Sequence, residues 1–247
     1  MVNAQSQHEV VVNAIQDMIS KGNLGPGDRL PVESDLAAQF GVSRGSLREG
    51  VRALVAMGVL ETRQGSGTVV TSLDPQLLLQ PLVFWASLQG GPSALNVHIA
   101  RRALEVESAG LAAASISPDE VARLAGLLDE AEPHVADRDH EQALALDHAF
   151  HLGIARSTGN PIIAALLDVL GQPTVRSRLW QSVNRSGRLE SSHHEHRLIL
   201  ETLRRGDPVA ARAAMYSHLT QVLSHLQDAA ALGGSAACPS PDPTPRS

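Results

Sequence analysis

The stretch Glu33-Ser34-Asp35-Leu36-Ala37-Ala38-Gln39-Phe40-Gly41-Val42-Ser43-Arg44-Gly45-Ser46-Leu47-Arg48-Glu49-Gly50-Val51-Arg52 decides the fold of the first part of the chain. It predicts a short helix from Glu33 to Phe40, stopped by Gly41. Ser43 then N-caps a longer helix, roughly Arg44 to Met57, because its hydroxyl can accept a bond from a free backbone N–H of the first turn. Helix, glycine-containing turn, helix is a helix-turn-helix. Upstream, Val11, Ala14, Ile15, Met18 and Ile19 recur at helical spacing between Val10 and Ser20, and Gly25-Pro26-Gly27-Asp28 is turn chemistry. Downstream, Val59-Leu60-Glu61-Thr62 and Thr68-Val69-Val70-Thr71 are β-rich runs joined through Gln64-Gly65-Ser66-Gly67, which predicts a hairpin wing.

On the longer helix Arg44, Arg48 and Arg52 form one nearly straight stripe beside an apolar stripe of Leu47, Val51 and Leu54. Arginine suits a helix that reads DNA, since its planar fork grips guanine or a phosphate at two points. The competing reading is a solvated charged face paired with carboxylates such as Glu49. The run Pro26-Gly27-Asp28-Arg29-Leu30-Pro31, with Asp35-Leu36-Ala37, Phe40-Gly41-Val42-Ser43-Arg44, Leu47-Arg48-Glu49 and Gln64-Gly65-Ser66-Gly67-Thr68, resembles the DNA-binding domain of the GntR family. That resemblance implies DNA contacts from Ser43, Arg44, Ser46 and Arg48, and from Gln64 and Gly65 at the wing tip. One departure alters the expected operator: the family's helix begins Pro-x-Glu-Arg, whereas here Ser34 follows Glu33.

At 247 residues the chain has room for two domains, each with its own core. No apolar run approaches the roughly 20 residues that span a bilayer. The start MVNAQSQHEVVV lacks the basic and apolar regions of an export signal, and the single cysteine, Cys238, allows no disulfide within one chain. A cytoplasmic protein without membrane contact is expected. The net charge of −6 opposes nucleic-acid binding only in total. Residues 1–72 hold six Lys/Arg against seven Asp/Glu, while 73–247 hold fourteen against nineteen, so most of the acidity lies in the second part.

After Asp74-Pro75 the pattern becomes long helices, punctuated near Gly90-Gly91-Pro92, Ser117-Pro118, Gly159-Asn160-Pro161 and Gly206-Asp207-Pro208. The predicted architecture is mainly α: a winged helix-turn-helix over residues 1–72, an all-helical bundle of six or seven helices over 73–231, and a disordered tail over 232–247 rich in Pro, Gly and Ser. Within the bundle, Asp147 and His151 share an apolar helix face with Leu144 and Ile154. His196 lies among Ile199, Leu200 and Leu203, and His218 among Ala211, Met215 and Val222. Buried ligand-type groups need hydrogen-bond partners, each other, or a metal. Three His and one Asp without Cys suit Zn²⁺, Ni²⁺ or Mn²⁺, one divalent ion per chain, with positions open for a ligand. Spacing alone leaves His148, His193, His194 and His225 as further candidates.

From Ala100 to Leu219 the chain resembles the FCD ligand-binding domain of the FadR-type subfamily, in Arg101-x-x-Leu104-Glu105, Asp147-x-x-Phe150-His151, Gly159-Asn160, Glu195-His196, Gly206-Asp207 and His218-Leu219. The resemblance implies that Asp147, His151, His196 and His218 hold the metal, and that Arg101 and Asn160 contact an effector, a small carboxylate. The plain alternative for Arg101 is an exposed salt bridge to Glu105, one turn on. The expected function is a homodimeric transcription regulator, a repressor released from operator DNA by that acid, and not an enzyme. Two alternatives compete: a metal-dependent hydrolase, which leaves the helix-turn-helix unexplained, and a metal-free regulator responding to acyl-coenzyme A, which leaves the Asp-His-His-His set unexplained.

Overall fold

A computed structural model describes residues 6–65, 67–79, 81, 92–171 and 188–234. The chain divides into two compact units between Pro81 and Leu82. Among the described residues no helix is long and apolar enough to cross a membrane.

In the first unit α1 (Gln7–Ser20), α2 (Glu33–Phe40) and α3 (Arg44–Ala56) precede β1 (Leu60–Arg63) and β2 (Gly67–Val70). Their core is Val11, Ile15, Leu36, Leu47, Leu54, Leu60 and Val70. Gly41 ends α2 in the left-handed region at φ 66°, where a side chain is disfavoured. Ser43 caps α3 as expected, its Oγ accepting from the Ser46 N–H at 3.0 Å. The β-strands pair antiparallel from Leu60↔Val70 to Arg63↔Gly67. The first was expected one residue earlier and the second one residue later. Thr71, just past the ladder, donates its N–H to the Val59 carbonyl at 3.0 Å and its hydroxyl to the Gly58 carbonyl at 2.8 Å. Arg29 bridges to Val69, adding a third edge to the wing.

The unit runs past the expected boundary at residue 72 because α4 (Pro75–Leu78) folds back: a Cβ on Gly58 would meet the Leu77 carbonyl at 2.8 Å.

The second unit consists of α5 (Pro92–Ala113), α6 (Pro118–Ala136), α7 (His140–Ser157), α8 (Pro161–Gly171), α9 (Arg188–Arg204) and α10 (Pro208–Gly234). Helix α5 runs along α10 and also touches α7, α8 and α9, while α6 packs on α7 and α9. Leu124, Leu128, Phe150, Ile154, Ile199, Leu203 and Met215 fill the centre. Six described helices match the expected bundle. Helix α10 extends to Gly234, so the first three residues of the expected tail are helical, and 235–247 lie outside the described residues.

Candidate functional site

Arg44 opens α3, is exposed, and has no ion pair among the described residues. Arg48 and Arg52 are exposed too, but Arg48 Nε donates to Glu33 Oε2 at 2.9 Å and Arg52 pairs with Glu49 at 3.0 Å. The stripe is thus divided between the two sequence readings. Such exposed pairs are weak because water and salt screen them, so a phosphate can displace them. Ser46 donates from its hydroxyl to Gln7 Oε1 at 3.0 Å, tying the start of α3 to the start of α1. Gln64 and Gly65 are exposed in the wing turn, Gly65 at φ 79°; their neighbour Ser66 lies outside the described residues. Ser34 lies in a groove between α2, α3 and the wing that also includes Arg29 and Arg44. Its hydroxyl donates to Asp35 at 3.0 Å.

In the second unit three helices bring their buried histidines to one point. His151 of α7, His196 of α9 and His218 of α10 are 4%, 3% and 2% exposed. Nε2 of His196 lies 3.2 Å from Nε2 of His151 and 3.3 Å from Nε2 of His218. Asp147 Oδ1 is 3.4 Å from the same nitrogen. A metal bound at ordinary metal–imidazole lengths sets neighbouring nitrogens about 3.0–3.4 Å apart, so the spacing fits.

The far side of the rings gives the chemical reason. His151 Nδ1 faces Glu105 Oε2 at 2.5 Å, and His218 Nδ1 meets Glu195 Oε2 at 2.6 Å. A carboxylate there draws the ring proton to Nδ1 and leaves the Nε2 lone pair facing inward. Two inward lone pairs meet His196 Nε2, whose single proton can serve only one of them. An electron-pair acceptor, a metal ion, satisfies all three. Burial lowers the pKa of His218 against the opposing Glu195 hydrogen bond, which also favours the neutral, ligating ring.

Each carboxylate is held in turn by a buried arginine. Arg101 Nε donates to Glu105 Oε1 at 2.7 Å, with Arg101 and Glu105 only 5% and 2% exposed. The Arg101–Glu105 pair foreseen as the plain alternative therefore exists, but it is buried rather than exposed. Arg188 grips Glu195 through both terminal nitrogens, at 2.8 and 2.7 Å. Burial pushes the Glu195 carboxyl up, but hydrogen bonds from His218 and Arg188 outweigh it and hold the pKa at about 2. The centre is thus two parallel chains, Arg101–Glu105–His151 and Arg188–Glu195–His218.

Asn160, expected at the effector, is exposed: its Oδ1 accepts from the Ile162 and Ile163 N–H groups at 3.0 and 3.2 Å and caps α8. The spare histidines are otherwise engaged or placed: His148 pairs with Asp168 at 3.0 Å, His225 bonds the Gln221 carbonyl on its own helix, and His194 is exposed. His193 is half-buried, with its pKa lowered by burial.

Residues 7–70 match the model described as "Bacterial regulatory proteins, gntR family", and 97–221 match the FCD domain. The HTH-type transcriptional regulator LutR of Bacillus subtilis is 31% identical over 210 residues, covering 83% of this chain and 94% of LutR. The chain belongs to the GntR family.

This GntR regulator is also 29% identical over 208 residues to the Exu regulon transcriptional regulator of Escherichia coli, covering 83% of the chain and 78% of that protein. A solved structure, Streptococcus agalactiae GntR, superposes with TM-score 0.68 at 30% identity, covering 88% of this chain and 99% of that one. The relatives are transcription regulators, which removes the hydrolase alternative. The FCD match spans all four residues of the candidate centre and stops short of His225. Sequence reading of the regulator missed Arg188 and gave Glu195 no role. The signal for that pair was faint, since residues seven apart face each other only across two full turns.

Proposed function

We propose that this GntR-family regulator is a repressor, working in the cytoplasm as a homodimer on a short palindromic operator and released by a small carboxylate effector bound at a divalent metal. The observation that carries the reading is the convergence of three buried Nε2 atoms beside Asp147. Three neutral imidazoles and one carboxylate fill four positions of an ion such as Zn²⁺, Ni²⁺ or Mn²⁺; the bound ion supplies Lewis-acid sites for carboxylate oxygens. Arg101, charged and buried beside His151's partner, is the second grip in this reading. In the first unit, Ser43 and Ser46 set the start of α3, Arg44 and Arg48 reach bases or phosphates, and Gln64 and Gly65 carry the wing to the backbone. One recognition helix reads too few base pairs for useful specificity, and two-fold symmetry doubles the site. An acid that binds one arrangement of the dimer better than the other moves the DNA-binding equilibrium.

The test joins metal analysis of purified protein to DNA binding with and without a panel of carboxylic acids. About one divalent ion per chain is expected, lost in the His151→Ala, His196→Ala double variant, with footprints in paired half-sites that an acid weakens. Release by acyl-coenzyme A from metal-free protein would overturn the metal reading, and a footprint strengthened by the acid would overturn the repressor reading.

A further inference from the structure

The six lysines and arginines of the first unit fall into two groups. Lys21, Arg48, Arg52 and Arg63 each lie within 3.0 Å of a carboxylate, on Asp17, Glu33, Glu49 and Glu61 in turn. Arg29 and Arg44 are exposed, and among the described residues neither guanidinium has an ion pair or a hydrogen bond. Both line the cleft between α2, α3 and the wing. The carboxylate that lines it, Glu33, is the one already engaged by Arg48, so the cleft keeps two unmatched positive charges.

Arg44 opens α3, but Arg29 is held from the wing. The Leu30 N–H donates to the Thr68 carbonyl and the Val70 N–H to the Asp28 carbonyl, both at 2.9 Å, which sets Arg29 opposite Val69. Extended backbone alternates its side chains, and since Leu30 enters the core, Arg29 points to the other face. There its guanidinium lies across Gly67 at the foot of the wing: a Cβ on Gly67 would stand 3.0 Å from both Nε and Nη2. The planar fork is thus placed by paired backbone and by a missing side chain, with its donors unused.

We propose that Arg29 is a phosphate clamp, gripping the DNA backbone where it passes between α3 and the wing. A helix seated in the major groove and a wing reaching past it straddle the sugar–phosphate strand that borders that groove, so the strand crosses the space between them. In this protein that space is the cleft with Arg29 at its edge. A phosphate suits the site: its charge meets an unmatched guanidinium, and two of its oxygens accept from the parallel N–H groups of the fork. A base edge suits it poorly, because the pairing with β2 keeps Arg29 at the foot of the wing and off the helix that enters the groove. The contact therefore fixes register and adds affinity without sequence preference, which is left to Arg44. This rests on the DNA contact by α3 and the wing proposed above.

Fluorescence anisotropy on the full-length protein tests it with two labelled duplexes, one of random sequence and one selected as the tightest binder from a random-sequence pool. Arg29→Met, which keeps a stem over Gly67 and loses the charge, should weaken both by the same factor, about tenfold, and flatten the plot of log Kd against log salt by about one per bound chain. Arg29→Lys keeps a positive charge and should keep the slope. Arg44→Ala should instead reduce the preference for the selected duplex. Methylphosphonate scanning locates the contact: neutralising one backbone phosphate per bound chain should weaken the parent protein and leave Arg29→Met unaffected. The melting temperature of Arg29→Met should match the parent, since its guanidinium has no partner within the described residues to lose; a structural arginine would show a fall. An unchanged salt slope, or a loss confined to the selected duplex, overturns the clamp alone. Binding that survives Arg29→Met, Arg44→Ala and Arg48→Ala alike overturns the reading of α3 as the DNA-facing helix as well.

Discussion

Glu105 and Glu195 each sit between a histidine and an arginine, and their value lies in that position. Replacing either by Gln keeps the shape but removes the charge that holds the ring proton on Nδ1. Glu105→Gln and Glu195→Gln should each weaken metal binding about 10–100-fold, measured by competition with a chromophoric chelator. Unchanged affinity in both would show that the carboxylates do not orient the rings. On the exposed side of α3 the three arginines should separate by how they are held. Arg44→Ala should cost about 1–3 kcal/mol of operator binding if it reaches a base, and Arg52→Ala, already paired with Glu49, should cost least. Quantitative mobility shifts at fixed salt rank them, and an equal loss at all three positions would mean a purely electrostatic stripe.

Helix α3 is placed by its cap and by one missing side chain. A Cβ at Gly50 would stand 2.6 Å from Val11 Cβ and 3.0 Å from the His8 carbonyl, so α1 and α3 touch where only glycine fits. Alanine is about 1 kcal/mol better than glycine inside a helix, but overpacking costs about 1–3 kcal/mol, so the clash outweighs the gain. Gly50→Ala should therefore destabilise the first unit, and Ser43→Ala should cost about 1 kcal/mol through the lost cap. Urea melts followed by far-ultraviolet circular dichroism measure both. A stabilised Gly50→Ala protein would mean that α1 shifts away without penalty.

Taken as a whole, the molecule has two units with separate cores, and only the second contains tryptophan, at Trp85 and Trp180. Tryptophan emission thus reports the second unit, whereas helical dichroism reports both. A ligand that binds only the folded state stabilises it by mass action, about 2.7 kcal/mol at a hundred times its Kd. Chelator should then lower the tryptophan-monitored melting temperature by several degrees and leave operator binding by the first unit's fold intact in the absence of effector. A chelator effect of equal size on a melt of the isolated residues 1–81 would place the metal elsewhere.

The first unit was legible almost to the residue, because its signals are local: Gly41 and Ser43 mark helix ends through their own backbone and hydroxyl, and the wing alternates around a glycine turn. The four centre residues were legible too, as ligand-type groups on apolar faces, with the family resemblance choosing among eleven histidines. The rest was decided by packing between helices distant in sequence. Whether Arg101–Glu105 lay in water or in the core depended on α5 being buried by α7, α9 and α10, which no i, i+4 spacing reveals. Asn160 shared a motif with the centre, yet its backbone position made it a cap. Arg188 and Ser192 look in sequence like any basic and hydroxyl residues on a polar helix. Only the packing of α9 against α5, α6 and α10 takes both out of bulk water, each 3% exposed, and brings Arg188 onto Glu195.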